Sequence, residues 1–190
     1  MGNDRNRVCQ VELAGGLESR IRKWLQDPQK ILAPYVKEGM TVLDAGCGPG
    51  FFSTALAGMV GKNGKVLAAD LQDGMLQKLA GKIRGTELEE RIQLVKCAKD
   101  RLNVAGKVDF ALAFYMVHEI PDKERFFKEI KSVLSEQGLL LLVEPKLFHV
   151  SRHDFEITTH IAENAGFITT PGPRLLLSHS AILKNSPGIR

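Results

Sequence analysis

The sequence predicts an α/β protein, with a mostly parallel β-sheet covered by helices on both faces. Strand-like apolar segments alternate with helix-like amphipathic segments over most of the chain, which is the pattern of successive β-α-β units. A glycine-rich stretch, G-C-G-P-G, separates the first predicted strand from the helix after it. Such a loop is typical of nucleotide-binding sites in this fold class. With 190 residues, the chain is expected to form one domain.

Residues 1–35 are predicted to form a helical lid or cap on a core of residues 36–190. Apolar side chains recur at helical spacing from Leu17 to Leu25. A second, short helix is expected to end at Ala33, with Asp27 as its N-cap and Pro28 at its first position. Simple packing of this leading piece on the sheet edge is an equally good interpretation.

The core segments follow in alternation. The predicted strands are Thr41–Asp44, Lys65–Asp70, Ile92–Cys97, Val108–Phe114 and Gly138–Glu144. The predicted helices are Phe51–Val60, Gly74–Ile83 with Asp73 as its cap, Asp122–Leu134 and Asp154–Asn164. Two final strands, Phe167–Thr170 and Leu175–Lys184, have no helix between them. They should therefore form a hairpin in which one strand runs antiparallel.

Composition limits the classes of function. The net charge is +4, from 26 Lys and Arg against 22 Asp and Glu, and the basic residues are dispersed; a nucleic-acid partner is therefore not expected. Three cysteines without a C-x-x-C pair argue against a disulfide framework or a zinc site, and no metal is predicted. The N-terminus lacks the apolar core of a signal peptide. The longest apolar run, Gly138–Val143, is far shorter than the about 20 residues of a membrane span, so the cytoplasm is predicted.

The glycine loop and a later acid together predict a nucleoside ligand. Ligands of open α/β sheets bind at the carboxyl ends of the strands, and the loop segment Thr41–Phe52 belongs there. Glycines let the backbone approach a ligand closely, because a Cβ atom would clash. Asp70 ends the second predicted strand. A carboxylate at that place can accept hydrogen bonds from both hydroxyls of a ribose.

The glycine spacing argues against a dinucleotide. The dinucleotide fingerprint is G-x-G-x-x-G, with the pyrophosphate at the helix N-terminus, whereas here the spacing is G-x-G-x-G and Phe51 replaces the third glycine. Asp44 precedes the loop, and an acid there repels phosphate but suits a cationic ligand. No G-K-[ST] follows, which excludes a Walker-type phosphate site. The pattern favours a nucleoside that carries an amino group and a sulfonium.

The segment D-A-G-C-G-P-G, together with Asp70, resembles the class I S-adenosylmethionine-dependent methyltransferases. The likeness is greatest to the small-molecule branch related to the ubiquinone/menaquinone C-methyltransferases, the methyltransferase-11 type, and it is close over Ile31–Glu144. It implies a Rossmann-like seven-stranded sheet of order 3-2-1-4-5-7-6, with strand 7 antiparallel. It also implies S-adenosylmethionine as the cofactor and S-adenosylhomocysteine as its product.

The resemblance further implies which residues bind the cofactor. Asp44 and the backbone of the loop residues Gly46, Cys47 and Gly48 would hold its methionine part. Asp70 would hold the ribose. These assignments place the methyl donor at the carboxyl end of the first two strands.

The adenine and the amino group are assigned in the same way. Leu71, with Met75, would flank the adenine, and the backbone near Phe114 would receive the amino group. Members of the family usually carry an aspartate followed by a small residue after strand three, whereas this chain has Cys97 and Ala98 there. Either the backbone alone holds the adenine edge, or Asp100 reaches it.

The segment Phe114–Pro121 follows the fourth strand and should face the transferring methyl. It lacks the [DNS]-P-P-[YFW] motif with which adenine and glutamine methyltransferases bind their target nitrogen. His118 is a candidate general base or a group that orients an acceptor, with capping or packing at the strand end as the alternative. Tyr115 is a candidate for the wall of the sulfonium pocket, with ordinary packing as its alternative.

These features predict a methyltransferase with a small-molecule acceptor. An RNA or protein acceptor, a non-catalytic S-adenosylmethionine-binding module and a nucleotide-dependent dehydrogenase are the alternatives. The segment Lys146–His153 after the fifth strand is short, so the acceptor site should be shallow, or be completed by residues 1–30 or by a second subunit in a homodimer. Methylation of a metalloid on thiolates is disfavoured, since Cys47 and Cys97 are assigned to the cofactor site.

Overall fold

The computed structural model describes residues 26–146 and 150–186. The helix predicted over Leu17–Leu25 lies outside the described residues. The first described helix is α1 (Pro28–Leu32), and it begins as predicted. The side chain of Asp27 accepts the backbone N–H of Gln29 at 3.1 Å, which satisfies one of the unpaired donors of the first turn.

A seven-stranded sheet with the order β3-β2-β1-β4-β5-β7-β6 forms the centre of the molecule. Its strands are β1 (Thr41–Ala45), β2 (Lys65–Asp70), β3 (Ile92–Lys96), β4 (Val108–Phe114), β5 (Leu134–Pro145), β6 (Phe167–Pro171) and β7 (Ser178–Asn185). β1 to β5 pair in parallel, and β7 is antiparallel to both β5 and β6. The predicted fold class, strand order and antiparallel strand are thus confirmed.

Helices cover both faces of the sheet. They are α2 (Phe51–Val60), α3 (Asp73–Ile83), α4 (Lys123–Val133) and α5 (Arg152–Asn164). Buried side chains of α1, α2 and α3 share one apolar cluster with alternate strand residues, whereas those of α4 and α5 share the other. Val42 belongs to the first cluster and Leu43 to the second, because successive strand side chains point to opposite faces. Among the described helices, none combines the length and the apolar character of a membrane span.

The predicted cap of α3 is wrong. Asp73 lies inside the helix as its first residue, and Gln72, in extended conformation, is the N-cap. The cause is Asp70, whose Oδ1 accepts the N–H of Gln72 at 2.8 Å and so orients the chain before the helix begins. The Asp73 carboxylate instead pairs with Nζ of Lys96 at 3.0 Å.

Three other boundaries differ from the predicted ones by two residues or more. β5 begins four residues early, directly after α4, because Leu134 already pairs with Val108. α5 begins at Arg152, since Ser151 and Asp154 form a capping box in which each side chain binds the other's backbone N–H. β7 begins at Ser178, three residues later than predicted. None of these shifts changes the topology.

The carboxyl ends of the parallel strands form one edge of the sheet. Strand order reverses at β1, which lies between β2 and β4. Because β7 is antiparallel, it starts at this same edge, where Ser178 pairs with Pro145, the last residue of β5. The β6–β7 loop, residues 172–177, therefore lies on the side of the sheet where α/β proteins bind ligands.

Candidate functional site

The three loop glycines all adopt positive φ, with values of +70° at Gly46, +52° at Gly48 and +87° at Gly50. A Cβ atom at Gly46 would lie 2.9 Å from Cγ of Met116, and one at Gly50 would lie 2.3 Å from Cδ1 of Leu79. Packing therefore requires glycine at these two positions. At Gly48, by contrast, a Cβ would meet nothing within 4 Å. Gly48 borders open space at the carboxyl edge of the sheet.

Asp70 joins the loop to the second strand. Its Oδ2 accepts the N–H of Gly48 at 2.8 Å, while its Oδ1 accepts that of Gln72. The residue is 8% exposed. Burial raises the pKa of this carboxyl, and outweighs the backbone hydrogen bonds from Gln72 and Gly48 and the charge of Lys96, which lower it. The predicted ribose acceptor is therefore in contact with the predicted loop.

Asp44 lies beneath the loop in the central strand. It is 2% exposed, and its Oδ2 accepts the hydroxyl of the fully buried Ser53 at 2.6 Å. Ser53 belongs to the first turn of α2, on the face to which Asp44 points by strand alternation. Both Asp44 and Asp70 raise the pKa of Cys47, after burial, which is the largest cause. The loop is therefore negative on two sides, as a cationic ligand requires and a phosphate does not.

The residues assigned to the adenine differ in exposure. Leu71, directly after Asp70, is 36% exposed, whereas Met75 is 2% exposed inside α3. Leu71 therefore offers an apolar surface to a ligand at this edge. Met75 contributes to the packing of α3.

The backbone after β3 is already hydrogen-bonded. The N–H of Cys97 donates to the carbonyl of Asp70 at 2.9 Å, and that of Ala98 donates to the carbonyl of Arg101 at 2.8 Å. Oδ2 of Asp100 pairs with Arg125 of α4 at 3.2 Å. This ion pair places the Asp100 carboxylate near α4. Both predicted adenine contacts, the backbone after β3 and Asp100, would therefore have to exchange a bond that is present here.

Two cysteines flank the site as thiols. Burial raises the pKa of Cys97 to about 12 and raises that of Cys47 further. Cys47 and Cys97 follow β1 and β3, which lie on either side of β2, so about 9–10 Å of sheet separates their backbones. This placement gives no support to a metalloid held by both sulfurs. Within the described ranges, no group of three or more His, Cys, Asp or Glu side chains could hold a metal ion.

An aromatic group follows β4. The ring of Phe114 contacts those of Phe52 and Tyr115, with centroid distances of 4.4 and 4.6 Å. Tyr115 has φ +60°, an uncommon conformation for a residue with a bulky side chain. Its hydroxyl accepts from Nε2 of Gln26 at 2.8 Å and lies 2.5 Å from Oγ of Ser178. Tyr115 therefore connects the segment before α1 to the start of β7 across the site edge.

A carboxylate and an imidazole meet beside this group. Glu144, near the end of β5, is 1% exposed, and its Oε1 accepts the N–H of Val117 at 2.8 Å. Its Oε2 is hydrogen-bonded to Nδ1 of His118. Burial lowers the pKa of His118, but the hydrogen bond and charge of Glu144 and the charge of Glu119 outweigh it, so the pKa is raised.

Glu144 is the site residue that sequence reasoning missed. A signal was present, because Glu144 is an acid at the end of the apolar run Leu139–Val143, just as Asp44 is the next-to-last residue of β1 and Asp70 is the last residue of β2. Acids at the carboxyl ends of three strands thus meet at one edge of the sheet.

Comparison with known proteins gives the same assignment. The family model described as "Methyltransferase domain" matches residues 36–171. Among curated proteins, the chain is 34% identical over 110 residues to a demethylmenaquinone methyltransferase of Lactobacillus johnsonii, covering 57% of this chain and 45% of that protein. It is 29% identical over 110 residues to a ubiquinone/menaquinone biosynthesis C-methyltransferase of Klebsiella pneumoniae, covering 57% and 44%. These matches span less than half the length of the curated relatives.

Solved structures agree over nearly the whole chain. A SAM-dependent methyltransferase from Aquifex aeolicus superposes with a TM-score of 0.80 at 26% identity, covering 93% of this chain and 100% of that one. A putative S-adenosyl-L-methionine-dependent methyltransferase from Methanococcus maripaludis shares the fold, with a TM-score of 0.77 at 18% identity, covering 99% and 98%. The chain therefore belongs to the methyltransferase-domain family, the class I S-adenosylmethionine-dependent methyltransferases, whose fold it shares.

Proposed function

We propose that this protein transfers a methyl group from S-adenosylmethionine to a small-molecule acceptor of the quinone type, in its reduced, hydroxyl-bearing form. The observation that carries the proposal is the contact between Oδ2 of Asp70 and the N–H of Gly48. This hydrogen bond brings the carboxylate predicted to bind the ribose next to the glycine that borders open space.

The residues of the edge fit the cofactor. A Cβ atom at Gly48 would fill the open space beside the loop. Glycine leaves that space free for a ligand that lies close to the backbone. Asp44 and Asp70 supply negative charge for a cationic ligand, and their oxygens already point toward the loop and its flanks. In this proposal, Asp44 and the Gly46–Gly48 backbone hold the methionine part and Asp70 holds the ribose. When bound, S-adenosylmethionine supplies an electrophilic methyl group.

The apolar surface of the edge supports a lipophilic acceptor. In the β6–β7 loop, Leu176 is 65% exposed and Leu177 is 44% exposed, and the loop is tied to the end of β5 by the hydrogen bond from Lys146 N to the Leu177 carbonyl. The relatives from Lactobacillus johnsonii and Klebsiella pneumoniae carry names of menaquinone and ubiquinone synthesis. The exposed Arg174 lies in the same β6–β7 loop, so the methyl-transfer screen has to distinguish a small-molecule acceptor from RNA.

We also propose a location in the cytoplasm. The two described cysteines, Cys47 and Cys97, are free and buried, which suits a reducing compartment. A homodimer that completes the acceptor site stays part of the proposal, because the segment after β5 is short.

Calorimetry and a methyl-transfer screen test the proposal. We expect S-adenosylmethionine and S-adenosylhomocysteine to bind and NAD not to bind. Label from methyl-labelled S-adenosylmethionine should enter 1,4-naphthohydroquinone, but neither RNA nor bulk protein. Tight NAD binding without S-adenosylhomocysteine binding would contradict the methyltransferase assignment. Labelled RNA or protein would contradict the acceptor class, and cofactor binding without transfer to any acceptor would indicate a non-catalytic binding module.

A further inference from the structure

The Glu144–His118 pair has the geometry of an oriented base. Glu144 accepts two hydrogen bonds, one from the N–H of Val117 at 2.8 Å and one from Nδ1 of His118. A carboxylate that accepts from Nδ1–H leaves the lone pair of the ring on Nε2. That nitrogen lies 3.9 Å from Oε1 of Glu119. The tautomer in which Nε2 can take a proton is therefore fixed by a buried partner.

We propose that His118 is the general base of the transfer, that Glu144 is its positioning residue, and that the enzyme therefore acts on acceptors whose methylated position is activated by loss of an O–H or N–H proton. This inference rests on the proposed function. It goes further by giving the acceptor a chemical requirement and by assigning a role to Glu144.

The step balances as a proton transfer coupled to methyl transfer. The O–H or N–H bond of the acceptor breaks, and its proton moves to Nε2 of His118. The electron pair that remains on the acceptor, on the heteroatom or on a conjugated ring carbon, forms the bond to the methyl carbon. The pair of the broken C–S bond stays on sulfur. If a ring carbon is methylated, the ring then loses its C–H proton and regains its aromaticity, and the acceptor oxygen or nitrogen takes a proton back. One proton is released to solvent for each methyl group transferred.

The position of the pair also favours this role over a purely structural one. A structural carboxylate would need only the Val117 N–H, which already ties the turn Val117–Glu119 to β5. The imidazole is 21% exposed, whereas its partner is 1% exposed, so the ring is reachable from outside and the acid is not. The charged groups around the ring are Glu144 from β5, Glu119 from the same turn and Lys123 from α4. The two acids outweigh the lysine.

The chain offers a matched control. His160 and Glu163 form another His–Glu pair, with Nδ1 and Oε2 3.4 Å apart, on the exposed surface of α5. We would compare the wild type with Glu144→Gln, His118→Gln and His160→Gln. S-adenosylhomocysteine affinity would be measured by calorimetry and ring titration by NMR. The pH dependence of kcat/KM would be measured with 1,4-naphthohydroquinone under anaerobic conditions.

We expect His118→Gln to lose about 10²- to 10⁴-fold in kcat, and Glu144→Gln about tenfold or more, with KM and S-adenosylhomocysteine affinity within about threefold of wild type. Wild-type activity should rise with pH as His118 loses its proton. In Glu144→Gln, the pH at which kcat/KM rises and the midpoint of the His118 NMR titration should both move to lower values. His160→Gln should match the wild type in all measurements.

Two results would overturn the assignment of His118 as the general base positioned by Glu144. One is an NMR titration of the His118 ring with the same pKa in Glu144→Gln as in the wild type, and this measurement needs no turnover. The other is a His118→Gln enzyme with the full rate and the same pH limb. If Glu144→Gln does not fold, His118→Gln alone decides through its kcat and pH limb. Wild-type protein that fails to bind S-adenosylhomocysteine would overturn the proposed function instead, so the two failures are distinguishable.

Discussion

Replacing Gly48 by alanine tests whether the open space beside the loop receives the cofactor. The new methyl group would meet no protein atom within 4 Å, so steric conflict with the protein does not arise. The remaining stability effect comes from φ, which is +52°. Holding an L-residue in this region costs about 1–2 kcal/mol, and alanine regains about 0.4–1 kcal/mol by restricting the unfolded chain. The net loss of unfolding free energy should be about 1 kcal/mol.

Gly39 is the matched control, because it has φ +83° and nothing within 4 Å of its Cβ position, and it lies before β1, away from the carboxyl edge. Gly39→Ala should lose a similar free energy of unfolding, measured by urea denaturation. Gly50→Ala should lose more, since its Cβ would lie 2.3 Å from Cδ1 of Leu79, and overpacking adds about 1–3 kcal/mol.

The decisive measurement is the affinity for S-adenosylhomocysteine. Gly48→Ala should weaken binding at least tenfold, which corresponds to about 1.4 kcal/mol, because the methyl group occupies space that the cofactor needs. Gly39→Ala should bind with wild-type affinity despite its equal loss of stability. A Gly48→Ala protein with an unchanged dissociation constant would refute the assignment of this space to the cofactor.

Three further predictions concern the surroundings of the loop. Ser53→Ala should lose about 1.5–3 kcal/mol of unfolding free energy, because it leaves the buried Asp44 carboxylate without its 2.6 Å hydroxyl donor; chemical denaturation measures this. S-adenosylhomocysteine affinity should fall on acidification, because the ionised Asp70 is the form that accepts hydrogen bonds. Since the pKa of Asp70 is raised, the fall should begin above the range of an ordinary aspartate, about 3.9, as calorimetry at several pH values would show. Tyr115→Phe should lose about 1–2 kcal/mol of unfolding free energy, because it removes the hydroxyl contacts to Gln26 and Ser178.

The first two of these predictions have a control variant, and the third has an outcome that would contradict it. The hydroxyl of Ser132 binds the carbonyl of Glu129 on the exposed face of α4, so Ser132→Ala should change stability by less than about 0.5 kcal/mol. Asp70→Asn should bind S-adenosylhomocysteine weakly and with little pH dependence. If the affinity of Asp70→Asn for S-adenosylhomocysteine fell on acidification as it does in the wild type, a group other than Asp70 would cause the fall. A Tyr115→Phe protein as stable as the wild type would show that its hydroxyl adds nothing to the fold.

The fold could be predicted because its signals are local. Period-two and period-3.6 patterns, glycine loops and the missing helix before the last strand each lie within a few consecutive residues, and the sheet order followed from a resemblance that rests on such a local motif. The position of Asp70 relative to the loop was predictable in the same way, since both end neighbouring strands.

The other features of the site depend on contacts between distant residues. The hydrogen bond between His118 and Glu144 spans 26 residues, and that between Gln26 and Tyr115 spans 89. The different roles of the three loop glycines depend on where Met116 and the side chain of Leu79 lie, which their spacing does not reveal. The error at Asp73 has the same origin, because the Asp70 side chain determines where α3 begins.

The β6–β7 loop has an evolutionary consequence. Its exposed leucines belong to neither apolar cluster of buried residues, and its ends are fixed by the backbone bonds of Lys146 to Leu177 and of Gly172 to Ser180. If the acceptor lies here as proposed, mutations at Leu176 change the surface presented to it while leaving the glycine loop and its acids intact. Selection could then act on acceptor preference at little expense to folding, so that homologues with the same donor site diverge in what they methylate.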